Sequence, residues 1–279
     1  MRHLHSVIAA GPALWFSAAT AGTLVPIPSF PGSAATYIRA INDNNVITGY
    51  YLDFAGDLHG FVGTLDGQHT SFDASDHGTI PLGIDNAGYI TGTTSPTPGC
   101  EVSGCGFVRS PDGTVKGVHK GRRALDAVVQ GILDKVSFVG DYAVDSGAPN
   151  ASPFFFGFYG KGSSYRAKLT LPFATNQTRP RGINTASTVV GFYSELGNGT
   201  FPGFVLKNGI ATSITYPDDD AWQVYLESIN DHGTAAGSWT DYALVGEQAF
   251  LYDVEKNAFS RSRCRTPPMC WPTASTTRE

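Results

Sequence analysis

Ile41-Asn42-Asp43-Asn44-Asn45-Val46-Ile47-Thr48-Gly49-Tyr50-Tyr51 decides the fold, because it returns four more times in altered form. An apolar anchor, usually followed by Asn or Asp, stands eight positions before a Gly at Ile41/Gly49, Ile84/Gly92, Ile132/Gly140, Ile183/Gly191 and Ile229/Gly237. Successive anchors lie 43, 48, 51 and 46 residues apart. Each unit carries a second mark, a Gly or Ala before an aromatic: Gly60-Phe61, Gly106-Phe107, Gly157-Phe158, Gly203-Phe204 and Ala249-Phe250. Fixed inner spacing within variable outer spacing is what constant strands joined by variable loops produce.

Each unit reads as four short strands. The first ends at the anchor Ile and runs into a polar turn, as at Asn42–Asn45, Asp85–Gly88, Asn184–Ser187 and Asn230–Gly233. Asn and Asp start such turns by bonding the backbone downstream, and Gly or Asn tolerates the left-handed position near the end. The second strand passes through the repeat Gly and the third holds the Gly-Phe mark. Asp66-Gly67, Asp112-Gly113 and Asn208-Gly209 then signal hairpins to a fourth strand. No stretch shows sustained helical periodicity. Four antiparallel strands repeated at this length are a propeller blade, and a single blade cannot cover both of its faces. The expectation is an all-β, five-bladed β-propeller over residues 22–262. Either Leu24–Phe30 or residues 258–262 can supply the strand that closes the ring.

Composition agrees. The 279 residues include 33 Gly, 17 Phe and 12 Tyr, while only 15% are charged. Gly supplies the positive φ of tight turns, and aromatics favour half-buried pleated surfaces. A net charge of −5 gives no electrostatic footprint for nucleic acid. Arg2 and His3, the apolar stretch Val7–Ala19 and the small residues Ala19-Thr20-Ala21 read residues 1–21 as a signal peptide. No later run is long enough to span a membrane. In an exported chain the pairs Cys100/Cys105 and Cys264/Cys270 suit two local disulfides, the second in a loosely ordered tail, residues 263–279.

The pattern Ile41-Asn42, Gly49, Tyr51, then His59-Gly60-Phe61, resembles the probable extracellular repeats of the HAF family, found in secreted bacterial proteins. The resemblance spans roughly residues 24–255. The name-giving His stands in one of the five Gly-Phe marks, and Leu133 replaces the expected Asn in the third unit. The resemblance implies export and a propeller-like fold, and it brings no catalytic residues.

Two repeated positions carry chemistry. Ten residues after each anchor lie Tyr51, Thr94, Tyr142, Tyr193 and Trp239; shortly beyond lie Asp53, Pro96, Asp145, Glu195 and Asp241. Aromatic followed by carboxylate suits a sugar, whose ring stacks and whose hydroxyls donate. The same residue types also serve packing between blades and the tying of turns. The second unit breaks both marks and carries the Cys100–Cys105 loop instead. Two residues before each anchor stand Arg39, Leu82, Gln130, Arg181 and Glu227, followed by a small residue that suits crowding at an axis. Arg39, Gln130, Arg181 and Glu227 are thus candidates to line a central channel, where Arg181 and Glu227 can pair. Asp126 and Glu227 are the first-strand acids that a glycan-cleaving reading would use. No nucleophile elbow, phosphate loop or metal-spaced His pair is present. The expected function is therefore a secreted, non-enzymatic binding or scaffold protein for a glycan or other surface polymer. The alternatives are a glycan-active hydrolase or lyase, and a module that binds an extracellular protein. Neither a cofactor, a metal nor nucleic acid is expected.

Overall fold

The computed structural model describes residues 26–134, 137–144, 153–174, 177–194, 199–217, 221–241 and 247–261. Among the described residues its elements are strands in five antiparallel four-stranded runs: units one, two and five are separate sheets, while units three and four join with a small hairpin in one ten-stranded sheet. Unit one holds β1 (Ala35–Ile41), β2 (Val46–Leu52), β3 (Leu58–Thr64) and β4 (His69–Phe72); unit two holds β5 (Thr79–Ile84), β6 (Ile90–Thr94), β7 (Gly106–Arg109) and β8 (Val115–Gly117). A small hairpin, β9 (His119–Lys120) and β10 (Arg123–Ala124), leads into unit three: β11 (Ala127–Leu133), β12 (Ser137–Val144), β13 (Phe154–Lys161) and β14 (Ser164–Lys168). Unit four has β15 (Gln177–Ile183), β16 (Val189–Ser194), β17 (Gly203–Lys207) and β18 (Ile210–Ile214). Unit five has β19 (Ala221–Ile229), β20 (Thr234–Asp241), β21 (Gln248–Asp253) and β22 (Ala258–Arg261).

The repeat Gly has a steric cause. In every unit the pairing of first and second strands slips close to the anchor, around Arg39, Leu82, Gln130–Gly131, Arg181 and Glu227, and in unit five it slips a second time between Ala221 and Gln223. These are β-bulges, which bend a strand and re-aim a side chain. Two residues upstream, the carbonyls of Tyr37, Ile80, Val128, Arg179 and Tyr225 press on Gly49, Gly92, Gly140, Gly191 and Gly237. A Cβ at any of these glycines would lie under 3.0 Å from that oxygen. In units two to five the ring of the Gly-Phe or Ala-Phe mark crowds the same glycine. The two sequence marks are therefore one packing feature.

The small residue before each anchor lets neighbouring first strands touch. A Cβ on Gly131 would meet the Arg181 carbonyl at 3.1 Å, and one on Gly182 would meet Ser228 at 3.0 Å. The anchor Asn does two jobs. Asn42 Oδ1 accepts the N–H of Asn44 and of Val46, forming the turn, while Nδ2 donates to the Asp85 carbonyl of unit two at 2.9 Å. Asn184 repeats this, accepting from Thr188 and donating to the Asn230 carbonyl of unit five at 3.0 Å. Asp85 keeps the turn through Ala87 and Tyr89, but a carboxylate has no N–H to donate, and the Leu133 side chain can do neither.

Apolar faces then meet between units. Val190 and Val205 of unit four pack with Val224, Leu226 and Phe250 of unit five, and Val139 of unit three packs with Val189, Tyr193 and Phe204 of unit four. Successive first strands β1, β5, β11, β15 and β19 lie side by side. This is β-propeller architecture. Among the described residues no matching contact joins β19 back to β1. The outer face of unit one, with Tyr51 and Phe61, is covered by Phe30, and Pro28 lies against Gly67. The fourth strand of unit five is β22, so of the two sequence candidates residues 258–261 supply it. Pro26–Phe30, within the other candidate, belongs to no strand; Leu24 lies outside the described residues.

Candidate functional site

The aromatic positions ten residues past the anchors are engaged by the chain itself. Phe30 stacks on Tyr51 at 3.9 Å, and Tyr216 stacks on Trp239 at 4.6 Å. Phe173 lies 4.7 Å from Tyr193, which is 2% exposed. Tyr142 sits among Phe158 and Tyr165, with the Lys120 ammonium 5.0 Å from its ring centroid. Tyr51 and Tyr193 each reach a Ser hydroxyl on the fourth strand of their own unit, Ser71 at 3.0 Å and Ser213 at 2.9 Å. In units one, four and five the stacking face that a sugar needs is thus occupied by an aromatic side chain of the entering segment, and in unit three Lys120 lies over it. Asp53 ties its loop: its carboxylate accepts the N–H of Ala55 and of Asp57, and these bonds, Asp57 foremost, hold it below the ordinary carboxylate range. Asp145 and Glu195 lie outside the described residues, as does the side chain of Asp241 at the end of β20. Cys264 and Cys270 also lie outside them.

Asp126 and Glu227 serve separate places. Asp126 accepts the N–H of Val102 at 2.9 Å and of Ser103 at 2.6 Å, pinning the loop closed by the Cys100–Cys105 disulfide. Glu227 lies 3.7 Å from Arg181 in the neighbouring unit. Each acid is thus tied to a different partner. The disulfide closes a short loop, so replacing both cysteines by Ser is expected to cost about 2 kcal/mol in a denaturant titration.

The residues two before the anchors prove to be the residues at which the first strands bulge. Arg39 is exposed and Gln130 is buried. Arg181 places its guanidinium 5.1 Å from the Phe192 ring centroid while its Nε faces Glu227, beyond hydrogen-bond reach.

A second pair escaped sequence reasoning. Asp141 follows the repeat Gly of unit three, where the other units have Tyr50, Thr93, Phe192 and Ser238. Its carboxyl is fully buried and meets Arg179 of unit four at 3.3 Å, and its Oδ1 has no hydrogen-bond partner among the described residues. Arg179 in turn stacks on Phe155 at 3.9 Å. Burial raises the Asp141 pKa, outweighing the attraction of Arg179 and Arg181. The sequence carries only a partial signal: a charged residue where the other units have Tyr, Thr, Phe or Ser, and Arg179 and Arg181 two residues apart in one strand.

Among the described residues no helix is long and apolar enough to cross a membrane. No protein-family model and no curated protein matches the sequence. Several solved structures do. A puromycin hydrolase is 10% identical with a TM-score of 0.54, over 80% of this chain and 38% of its own. A structure of prolyl endopeptidases is 11% identical with a TM-score of 0.54, over 84% and 35%. The β-propeller domain of the Trilobed protease from Pyrococcus furiosus is 9% identical with a TM-score of 0.45, over 81% and 84%. The chain thus spans little more than a third of either of the first two, and at such identity the likeness to them is one of fold alone.

Proposed function

We propose that the protein is a secreted, non-enzymatic binding or scaffold protein of the HAF repeat type. It meets a glycan or another extracellular surface polymer through the side chains at its first-strand bulges. One observation carries this reading: the bulge recurs in all five units, yet the residue on it changes from Arg39 to Leu82, Gln130, Arg181 and Glu227. Anchor, small residue, Gly and Phe hold the frame constant, whereas the bulge residue is free to vary in chemistry. Guanidinium, amide and carboxylate groups on neighbouring first strands suit the hydroxyls and acid groups of a polysaccharide. The glycan reading no longer draws on Tyr51, Tyr142, Tyr193 or Trp239, whose faces are covered. Export is supported by the signal-like residues 1–21 and by the Cys100–Cys105 disulfide. The acids a hydrolase reading would use, Asp126 and Glu227, are engaged by different partners.

A glycan array with wild type and the Arg181→Ala/Glu227→Ala double variant tests this reading. The pair is partly exposed, so its loss is expected to cost no more than about 1 kcal/mol of stability. The expected outcome is a saturable glycan signal that falls at least about tenfold in the variant, equivalent to 1.4 kcal/mol. Absence of any glycan signal from wild type sinks the glycan class and leaves the protein-binding alternative.

A further inference from the structure

In unit one, Phe30, Tyr51 and Phe61 fill the space between the entering segment, the second strand and the third; in unit five Tyr216, Trp239 and Phe250 do so, and in unit four Phe173, Tyr193 and Phe204. In unit three Tyr142 fills it beside Phe158, with Lys120 over its ring. Unit two keeps the third-strand ring, Phe107, but has Ala74 on the entering segment and Thr94 on the second strand. A cavity of about 270 Å³ remains there, bounded by Ala74, Thr94, Pro98, Phe107 and Val115.

We propose that this cavity is a binding site for a small planar aromatic molecule of one or two fused rings. Three observations agree on that class. First, the other units fill the equivalent place with aromatic rings of the chain itself. Second, the Thr94 and Ser75 hydroxyls at the cavity are already engaged, which leaves the His77 ring as a polar group of the lining: Thr94 Oγ1 donates to the Ser95 carbonyl and accepts from Cys105 N–H, and Ser75 Oγ donates to the His77 carbonyl. The remaining lining favours an apolar occupant over water, and an apolar cavity of about 150 Å³ is already enough to take benzene. Third, the roof is held open. Thr97 and Pro98 belong to the loop stapled by Cys100–Cys105, Thr97 and Cys100 exchange backbone hydrogen bonds, and Asp126 pins Val102 and Ser103. A pre-formed pocket spares the ligand the cost of ordering it. The break in the repeat and the cysteine loop thus belong to one device, separate from the bulge ring and independent of its ligand.

The test titrates the full oxidised chain with indole and phenol by calorimetry, with cyclohexanol as the saturated counterpart of phenol. Wild type is expected to bind indole saturably below millimolar concentration, and phenol at least about fivefold more tightly than cyclohexanol. Thr94→Tyr and, separately, Ala74→Phe rebuild the ring that the other units carry. Each is expected to weaken indole at least about tenfold, and the better-tolerated of the two to raise the melting temperature by about 2–4 °C. Ala74→Phe leaves the Thr94 hydrogen bonds in place, so it decides the matter if Thr94→Tyr does not fold. No saturable indole binding, equal binding of phenol and cyclohexanol, or undiminished binding in Ala74→Phe would each overturn the proposal.

Discussion

Gly191→Ala is expected to destabilise the protein by about 3 kcal/mol, at the upper end of what overpacking ordinarily costs. The added methyl would lie under 3.0 Å from the Arg179 carbonyl, from the Pro180 Cα and from the Phe204 ring. Two of those three neighbours are backbone, fixed by the bulge at Arg181, so little can yield. Gly209→Ala is the control. Its Cβ would meet nothing, but φ is +77°, so only left-handed strain applies, about 1 kcal/mol. Urea titrations of the two variants separate crowding from backbone strain. Equal losses would mean that the repeat Gly is kept for its conformation and not for the close approach of the bulged strand.

Arg179→Ala comes next, with an expected loss of about 3 kcal/mol near neutral pH, because it strands the buried Asp141 carboxyl. The pH dependence carries a sign. In the folded protein the Asp141 pKa already stands above its ordinary value of 3.8. The native state therefore holds this proton more tightly than the unfolded chain, and stability drains as pH climbs from 3.8 through the raised folded pKa. Removing Arg179 raises that pKa further, so the penalty shrinks on acidification toward pH 4, where the stranded group is neutral. Asp141→Asn, which cannot ionise, gains on wild type as pH rises through the same window. Melting temperatures across pH check both variants. A penalty for Arg179→Ala that does not change with pH would assign the effect to lost stacking on Phe155 instead.

How much of this was legible depends on which forces left a mark in the chain. The units, their four strands and the crowding between neighbouring first strands were readable because each imposes one residue type at one spacing: Gly at the bulge, Phe across it, a small residue where first strands touch. The turns were readable from Asn42, Asn184 and Asn230, but their inter-unit hydrogen bonds were not, since an Asn that makes a turn and an Asn that also ties two units look alike. Tyr51, Tyr193 and Trp239 were correctly aligned as equivalents, yet their partners Phe30, Phe173 and Tyr216 stand in segments of variable length, where no fixed spacing announces them. Asp141 and Arg179 were missed for a related reason: their pairing depends on which face of one unit meets the next, a fact that a periodic pattern within one strand does not carry.

The central claim divides labour between a frame that holds the fold and bulge residues that are free to vary. The most direct test is the denaturation midpoint of a triple variant, Arg39→Ser/Arg181→Ser/Glu227→Ser, set beside Gly191→Ala. The account predicts that the triple variant stays within about 1 kcal/mol of wild type. A loss matching that of Gly191→Ala would mean that the axial side chains hold the blades together, and the division would be wrong.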